Sequence, residues 1–372
     1  MRIWVFNPPT DALSLKALQE AGVSTVVTSR IKDIPPKPPF TTYAMIHVFP
    51  TTGSPEDLAM DIHGQPVEWF SSGCPNSPAI RSAFYAEMER LLAQPIRGIF
   101  LDGIRFSSPA SSTIKTSFLT CFCPRCQRDM AKHGYDAEKI RQDINTAMEL
   151  LSSPGTKRSW LRALYSPSGW FSLMAAYPGI LDWLQYRAEC VTVFVKELRA
   201  WMKEHSPDKK LAAFLFQPCL SYLVGQNYLA LAPHLDIVSP MIYRNYPHQP
   251  GPATINQEMM TMADFLEEAG IPFGQGFKDL LAIFGLEIDG SFPNSIEDSA
   301  GISIPHVIGE VKAARAMAGS QGKVAPIIWA GDPQLEETLR QLKNISLQSC
   351  ILFTYEAGFT AHKDQFLDIL GR

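Results

Sequence analysis

The run Arg97-Gly98-Ile99-Phe100-Leu101-Asp102-Gly103-Ile104-Arg105 (RGIFLDGIR) decides how this chain is read. Ile99, Phe100 and Leu101 follow one another without polar alternation, the pattern of a strand buried on both faces. An acid stands where the apolar run stops. Runs of the same kind recur along the chain, at residues 2–7 (RIWVFN), 24–29 (STVVTS) and 43–49 (YAMIHVF) before it. After it come 211–217 (LAAFLFQ), 236–243 (DIVSPMIY), 272–277 (PFGQGF), 324–329 (VAPIIW) and 350–355 (CILFTY).

Helical spacing falls between many of these runs, at 11–21, 82–93, 181–205, 257–269, 307–318 and 333–344. Repeated strand-then-helix units imply parallel strands with right-handed crossovers, and eight such units close into a (β/α)₈ TIM barrel. The runs number nine for eight places, so 272–277 is either the seventh strand or an extra segment before 324–329. A barrel of this kind takes about 250 residues, and the chain has 372. Much of the surplus fits one place, between the fourth and fifth strands. No Pro/Ser-rich linker divides the chain. It therefore reads as a single domain, 1–372, with an insertion at 107–210. A doubly wound open sheet is the fold alternative. No G-x-G-x-x-G follows the first strand, which counts against a dinucleotide site.

Composition narrows the function. Lys and Arg total 33 against 37 Asp and Glu, a net charge of −4, with 46% hydrophobic and 19% charged residues. This suits a large core and argues against nucleic acid as a partner, since phosphate binding needs clustered cations. No uninterrupted apolar stretch of about 18 residues predicts a membrane span, and the opening MRIWVFNPP lacks the features of a secretory signal. The expected location is the cytoplasm. Self-association as a homo-oligomer is compatible with the sequence.

A barrel places its site at the C-terminal ends of its strands. The candidates there are Asn7, His47, Asp102 with Arg105, Gln217, Tyr243 with Arg244, Asp332 and Glu356. Asp102 is the strongest, because an acid ending a buried strand either faces the pocket or costs several kcal/mol unless paired. The plain alternative is a salt bridge to Arg105. Glu356 suits a second carboxylate and could equally cap a helix. Asp332, just before Pro333, reads first as an N-cap and second as a site carboxylate. His47 reads first as a satisfied core histidine and only then as a site residue. Trp69, Phe70, Tyr165, Trp170, Tyr246 and Trp329 are aromatic residues in or near the loops of that face. Trp170 and Trp329 are the aromatic candidates for the substrate site.

Cys121-Phe122-Cys123-Pro124-Arg125-Cys126 places three thiols within six residues, and Cys74 lies in the loop after the third strand. Four thiolates are what a closed tetrahedral structural Zn²⁺ needs. Such a site would clamp the two loops and do no chemistry. Unliganded reduced thiols are the alternative. Cys190, Cys219 and Cys350 sit in apolar surroundings and read as buried thiols.

Between about residues 70 and 135 the chain resembles glycoside hydrolase family 42, the β-galactosidases. That family has a catalytic barrel with a C-x-C-x-x-C loop and an upstream cysteine that bind zinc. Cys74-Pro75-Asn76-Ser77-Pro78 is similar to its C-x-N-x-P segment, and Cys121, Cys123 and Cys126 match its triplet. The family ends its fourth strand in an Asn-Glu pair holding the acid/base glutamate. This chain has Leu101-Asp102-Gly103-Ile104-Arg105 there, so the β-galactosidase activity does not carry over. That strand looks like the "D-G-I-x-L-D-x-I-R" strand of uncharacterised glycoside-hydrolase-like barrels, and residues 236–243 look like their "D-x-V-x-P-M-x-Y". The resemblance implies a carbohydrate-active barrel with a structural zinc.

The expected reaction is hydrolysis of a glycosidic bond by two carboxylates. Asp102 would serve as nucleophile or general base, Glu356 as acid, with Asp332 in reserve. A non-catalytic sugar-binding barrel is the first alternative. A metal-dependent amidohydrolase is the second, although that class usually needs His-x-His after the first strand, where this chain has Asn7-Pro8-Pro9.

Overall fold

The computed structural model describes residues 1–33, 40–111, 117–152, 167–244, 255–268, 270–295, 298, 301–319 and 323–353. Its centre is a closed parallel barrel. The strands are β1 (Arg2–Phe6), β2 (Thr25–Thr28), β3 (Thr41–His47), β4 (Gly98–Asp102), β5 (Lys210–Phe216), β6 (Ile237–Met241), β7 and β8 (Ser349–Phe353). β7 consists of two pieces, Lys323–Val324 and Ile327–Trp329, both paired with β6. They are separated at Pro326, which has no N–H for the ladder. Each strand pairs with the next, and β8 pairs with both β7 and β1, which closes the ring. The fold is a (β/α)₈ TIM barrel.

The longer helices are α1 (Ala12–Glu20), α2 (Pro78–Leu92), α3 (Pro124–Lys132), α4 (Ala137–Ser152), α5 (Pro167–Ala176) and α6 (Pro178–His205). They continue with α7 (Ile255–Glu268), α8 (Phe273–Phe284), α9 (Ile304–Ala318) and α10 (Leu335–Asn344). Several start earlier than apolar spacing alone suggests. Pro78 and Pro178 open α2 and α6 from the first turn, where a missing N–H costs nothing, and Ser77 caps α2.

One expected strand is corrected. Residues 272–277 are not a strand but the start of α8, which buries Phe273, Gly276, Phe277, Leu280 and Leu281 along one helical stripe. The run was too short for its period to be read, and only the residues beyond 277 reveal the helical repeat. Without it, eight runs remain for eight places.

Alternation along the strands sorts the core. Trp4, Phe6, Tyr43, Phe100, Phe214 and Phe353 fill the barrel interior, with Phe100 and Phe214 ring centroids 4.8 Å apart and Phe6 and Phe353 5.5 Å apart. Ile99, Leu101, Leu211, Ala213 and Leu215 point outward to a second cluster with Phe84 and Met88 of α2 and Phe194 and Leu198 of α6. Burying each large apolar side chain contributes roughly 1.5–3 kcal/mol, and both faces of β4 and β5 are covered.

The segment between β4 and β5 carries α3, α4, α5 and α6. α4 and α6 meet at Gly179, where any Cβ would lie 2.8 Å from Ile140 Cα, and the Gly179 N–H donates to Asp143 Oδ2 at 2.8 Å. Among the described residues, no helix is long and apolar enough to cross a membrane.

Candidate functional site

β4 ends because Gly103 adopts a left-handed φ of +70°. Phe100 faces the interior, so Asp102, two residues on, shares that face at the mouth. His47 ends β3 and is the Cα partner of Asp102. A side chain at Gly103 would lie 2.7 Å from His47 Nδ1, so glycine is required there by space as well as by φ. Burial raises the Asp102 carboxyl above its ordinary range, opposed by His47, Arg105 and the Gly103 N–H. Burial pushes His47 in the other direction, below its ordinary value, despite the attraction of Asp102. His47 Nε2 hydrogen-bonds Ser72 Oγ at 2.9 Å, while its buried Nδ1 has no partner among the described residues.

Arg105 follows β4 rather than ending it. Its guanidinium is clamped between the Trp69 ring, 4.4 Å away, and the Phe216 ring, 4.6 Å away. It donates to the Phe106 carbonyl at 3.0 Å and to Ser111 Oγ at 3.3 Å. Burial lowers it to about 10, opposed first by Glu258 and then by Asp102. The sequence reading missed Glu258. It sits on α7, is 1% exposed, accepts from the Ala110 N–H at 2.9 Å and has a buried second oxygen without a partner among the described residues. Burial raises its carboxyl. The signal was present, because Glu258 lies on the stripe of Ile255, Met259 and Leu266, where a helix buries its side chains.

Gln217 follows β5 and is fully buried. Neither its amide oxygen nor its nitrogen has a partner among the described residues. A buried amide left so costs about 1–3 kcal/mol, which points to a polar ligand or water as its partner. Beside His47, residues 69–72 turn tightly. Phe70 and Ser71 have φ of +47° and +53°, and the Ser72 N–H donates to the Trp69 carbonyl at 2.7 Å. The turn leaves Phe70 59% exposed, edge-on to the His47 ring at 5.6 Å.

The remaining candidates are placed as follows. Asn7, at φ +47°, accepts at Oδ1 from the Ser29 N–H at 2.9 Å and so ties the exits of β1 and β2. Tyr243 is buried with its ring 5.3 Å from that of Phe353. Arg244 and Asp332 form a buried bidentate pair, Nε to Oδ2 at 2.6 Å and Nη2 to Oδ1 at 2.9 Å. Asp332 Oδ1 also accepts from the Gln334 N–H at 2.9 Å. Both carboxylate oxygens are thus engaged, which ill suits a proton donor to substrate. Trp329 is half-buried over Gly331. Glu356, Tyr165 and Tyr246 lie outside the described residues, as does the side chain of Trp170.

The cysteine reading depends on two loops meeting, and they do. Cys74, Cys121, Cys123 and Cys126 are all buried, with Cys74 Sγ 3.6 Å from Cys123 Sγ, 3.5 Å from Cys126 Sγ and 3.8 Å from Cys121 Sγ. Sulfurs bound to one tetrahedral ion at about 2.3 Å would stand roughly 3.8 Å apart, so this buried four-cysteine group could hold a metal ion. Its surroundings fit an anionic cluster. The Met60 N–H and Asn76 Nδ2 donate to Cys121 and Cys126 sulfurs, each at 3.5 Å, and the Cys126 N–H donates to Cys123 at 3.4 Å. Arg187, fully buried, interacts electrostatically with Cys121 and Cys190, and two of its nitrogens lack hydrogen-bond partners among the described residues. A metal tetrathiolate at this place would set negative charge beside that guanidinium.

No protein-family model matches the chain, and no curated protein matches it. Solved structures similar to it include a β-galactosidase from the Antarctic haloarchaeon Halorubrum lacusprofundi, at 14% identity and a TM-score of 0.43, over 88% of this chain and 53% of that one. Another is a catalytic mutant of a family 42 β-galactosidase from G. stearothermophilus, at 12% identity and a TM-score of 0.42, over 87% of this chain and 50% of that one. Bee venom hyaluronidase, in complex with a hyaluronic acid tetramer, is similar at 12% identity and a TM-score of 0.41, over 100% and 97% of the two chains. The chain spans about half the length of the first two. With similarity this low, the fold assignment rests on the strand pairing itself.

Proposed function

We propose that this chain is a glycoside hydrolase acting on an oligosaccharide or glycoconjugate at the C-terminal mouth of its barrel. The observation that carries the reading is Asp102, an inward-facing, half-buried carboxyl at the end of β4, in register with His47 and with its proton affinity raised. A carboxylate of raised basicity suits a general base more than a nucleophile. That role implies inversion, with the acid carboxyl about 6.5–9.5 Å away. Glu356, three residues past β8, is the proposed acid, since Asp332 is held by Arg244.

Gln217 and Arg105 would hydrogen-bond sugar hydroxyls, and exposed Phe70 offers a ring face for the apolar side of a sugar. The four cysteines would hold a structural Zn²⁺, the ion preferred by a closed four-sulfur set. A thiolate site persists in a reducing compartment, and the cytoplasm is the proposed location. The barrel is proposed to be one domain, 1–372, with 107–210 inserted.

A panel of α- and β-aryl glycosides and oligosaccharides tests the reading. Turnover by the wild type that Asp102→Asn abolishes supports it. Saturable sugar binding without turnover would instead identify a sugar-binding barrel.

A further inference from the structure

Cys219, His306 and Glu310 come together where the turn after β5 lies against the first turns of α9. His306 and Glu310 are four residues apart on that helix and share a face. A sulfur, a ring nitrogen and a carboxylate oxygen, one from each residue, lie within 4.8 Å of one another. The Cys219 N–H donates to Glu310 Oε2 at 2.9 Å, which fixes the carboxylate beside the thiol. Glu310 Oε1 stands 3.8 Å from His306 Nε2, too far for a hydrogen bond, and that buried nitrogen has no hydrogen-bond partner among the described residues. The side chains of His306 and Glu310 are 13% and 8% exposed.

The donor set is that of a transition ion: one thiolate, one imidazole, one carboxylate. At metal–ligand distances of about 2.0–2.3 Å, donors of a tetrahedral site stand roughly 3.3–3.8 Å apart. The 3.8 Å nitrogen–oxygen gap would need to close by about half an ångström, and a donor pair at the 4.8 Å limit by about an ångström, to share one ion. Three protein ligands leave a fourth position open, unlike the closed cysteine cluster. We propose that Cys219, His306 and Glu310 form a second metal site, which takes a divalent ion of the zinc class and joins the exit of β5 to α9. The inference is independent of the glycosidase reading.

Cobalt(II) titrated into the full chain, with the cysteine cluster loaded with zinc, tests it. The wild type should bind one more cobalt per chain than Cys219→Ser or His306→Ala, and Cys219→Ser should lose a thiolate-to-cobalt absorption band. Alkylation gives a second readout that needs no variant. Zinc should protect Cys219 of the wild type from iodoacetamide, as located by peptide mapping. In a folded His306→Ala protein, half-protection should need at least about tenfold more zinc. Equal cobalt uptake by the three proteins, or alkylation of Cys219 that zinc does not slow, overturns the site.

Discussion

His47 and Asp102 are Cα partners on the last rung between β3 and β4, and burial drives their proton affinities in opposite directions. The charge of each favours the charged form of the other, and burial works against both charged forms. Opposed burial and charge of this kind at the mouth of the barrel are the surroundings of the proposed general base.

Asp102→Asn should lower turnover by about 10²–10⁴-fold, the range of a lost general base, while the protein stays folded. Arg105 is stacked on Trp69 and Phe216 and is offset first by Glu258, so it does not depend on Asp102 alone. Turnover and denaturant unfolding of one sample check this. A loss on the order of 3–5 kcal/mol would mark Asp102 as a structural ion-pair partner instead.

Stability should fall with pH below about 6.5, because the unfolded chain protonates its histidine there while folded His47 resists. His47→Gln should flatten that part of the profile. Asp102 works in the opposite sense. Its folded carboxyl keeps a proton that the unfolded chain has lost, so the stability this confers disappears as pH rises through its raised pKa. Urea unfolding at several pH values, compared among wild type, His47→Gln and Asp102→Asn, reads both slopes.

Gln217→Leu should raise stability or leave it unchanged, since it removes a buried amide costing about 1–3 kcal/mol when unsatisfied. The same change should raise KM for any active glycoside. A destabilised Gln217→Leu protein with unaltered kinetics would contradict a substrate-binding role.

Asp332→Ala should cost about 3–5 kcal/mol, because it removes the buried carboxylate that holds Arg244. Replacing both residues with apolar ones, as in Arg244→Met/Asp332→Leu, should recover much of that loss. A double-mutant cycle measures the coupling. Little loss in Asp332→Ala would remove the reason for setting Asp332 aside as the acid.

Zinc should be found at no less than one ion per chain in protein purified without chelator, and Cys123→Ser should lower the content by one. The variant should also loosen the loops after β3 and β4, as seen by faster proteolysis there, because ion binding and local folding are coupled. Unchanged zinc content in Cys123→Ser would rule out the cluster as the site.

The sequence by itself determined the barrel, the position of Asp102 and the grouping of Cys121, Cys123 and Cys126. Those are local signals. A strand covered on both faces must be apolar throughout, and an acid at its end or thiols two and three residues apart need no knowledge of the rest of the chain. Residues 272–277 misled because six residues cannot tell a buried strand from a buried helix. Only the tertiary structure decided the partners: Asp332 with Arg244, Glu258 near Arg105, and Cys219 beside His306 and Glu310. Each of these joins side chains far apart in the chain. Their meeting is set by barrel closure and by how the crossover helices pack, and neither is written in the periodicity of any one segment.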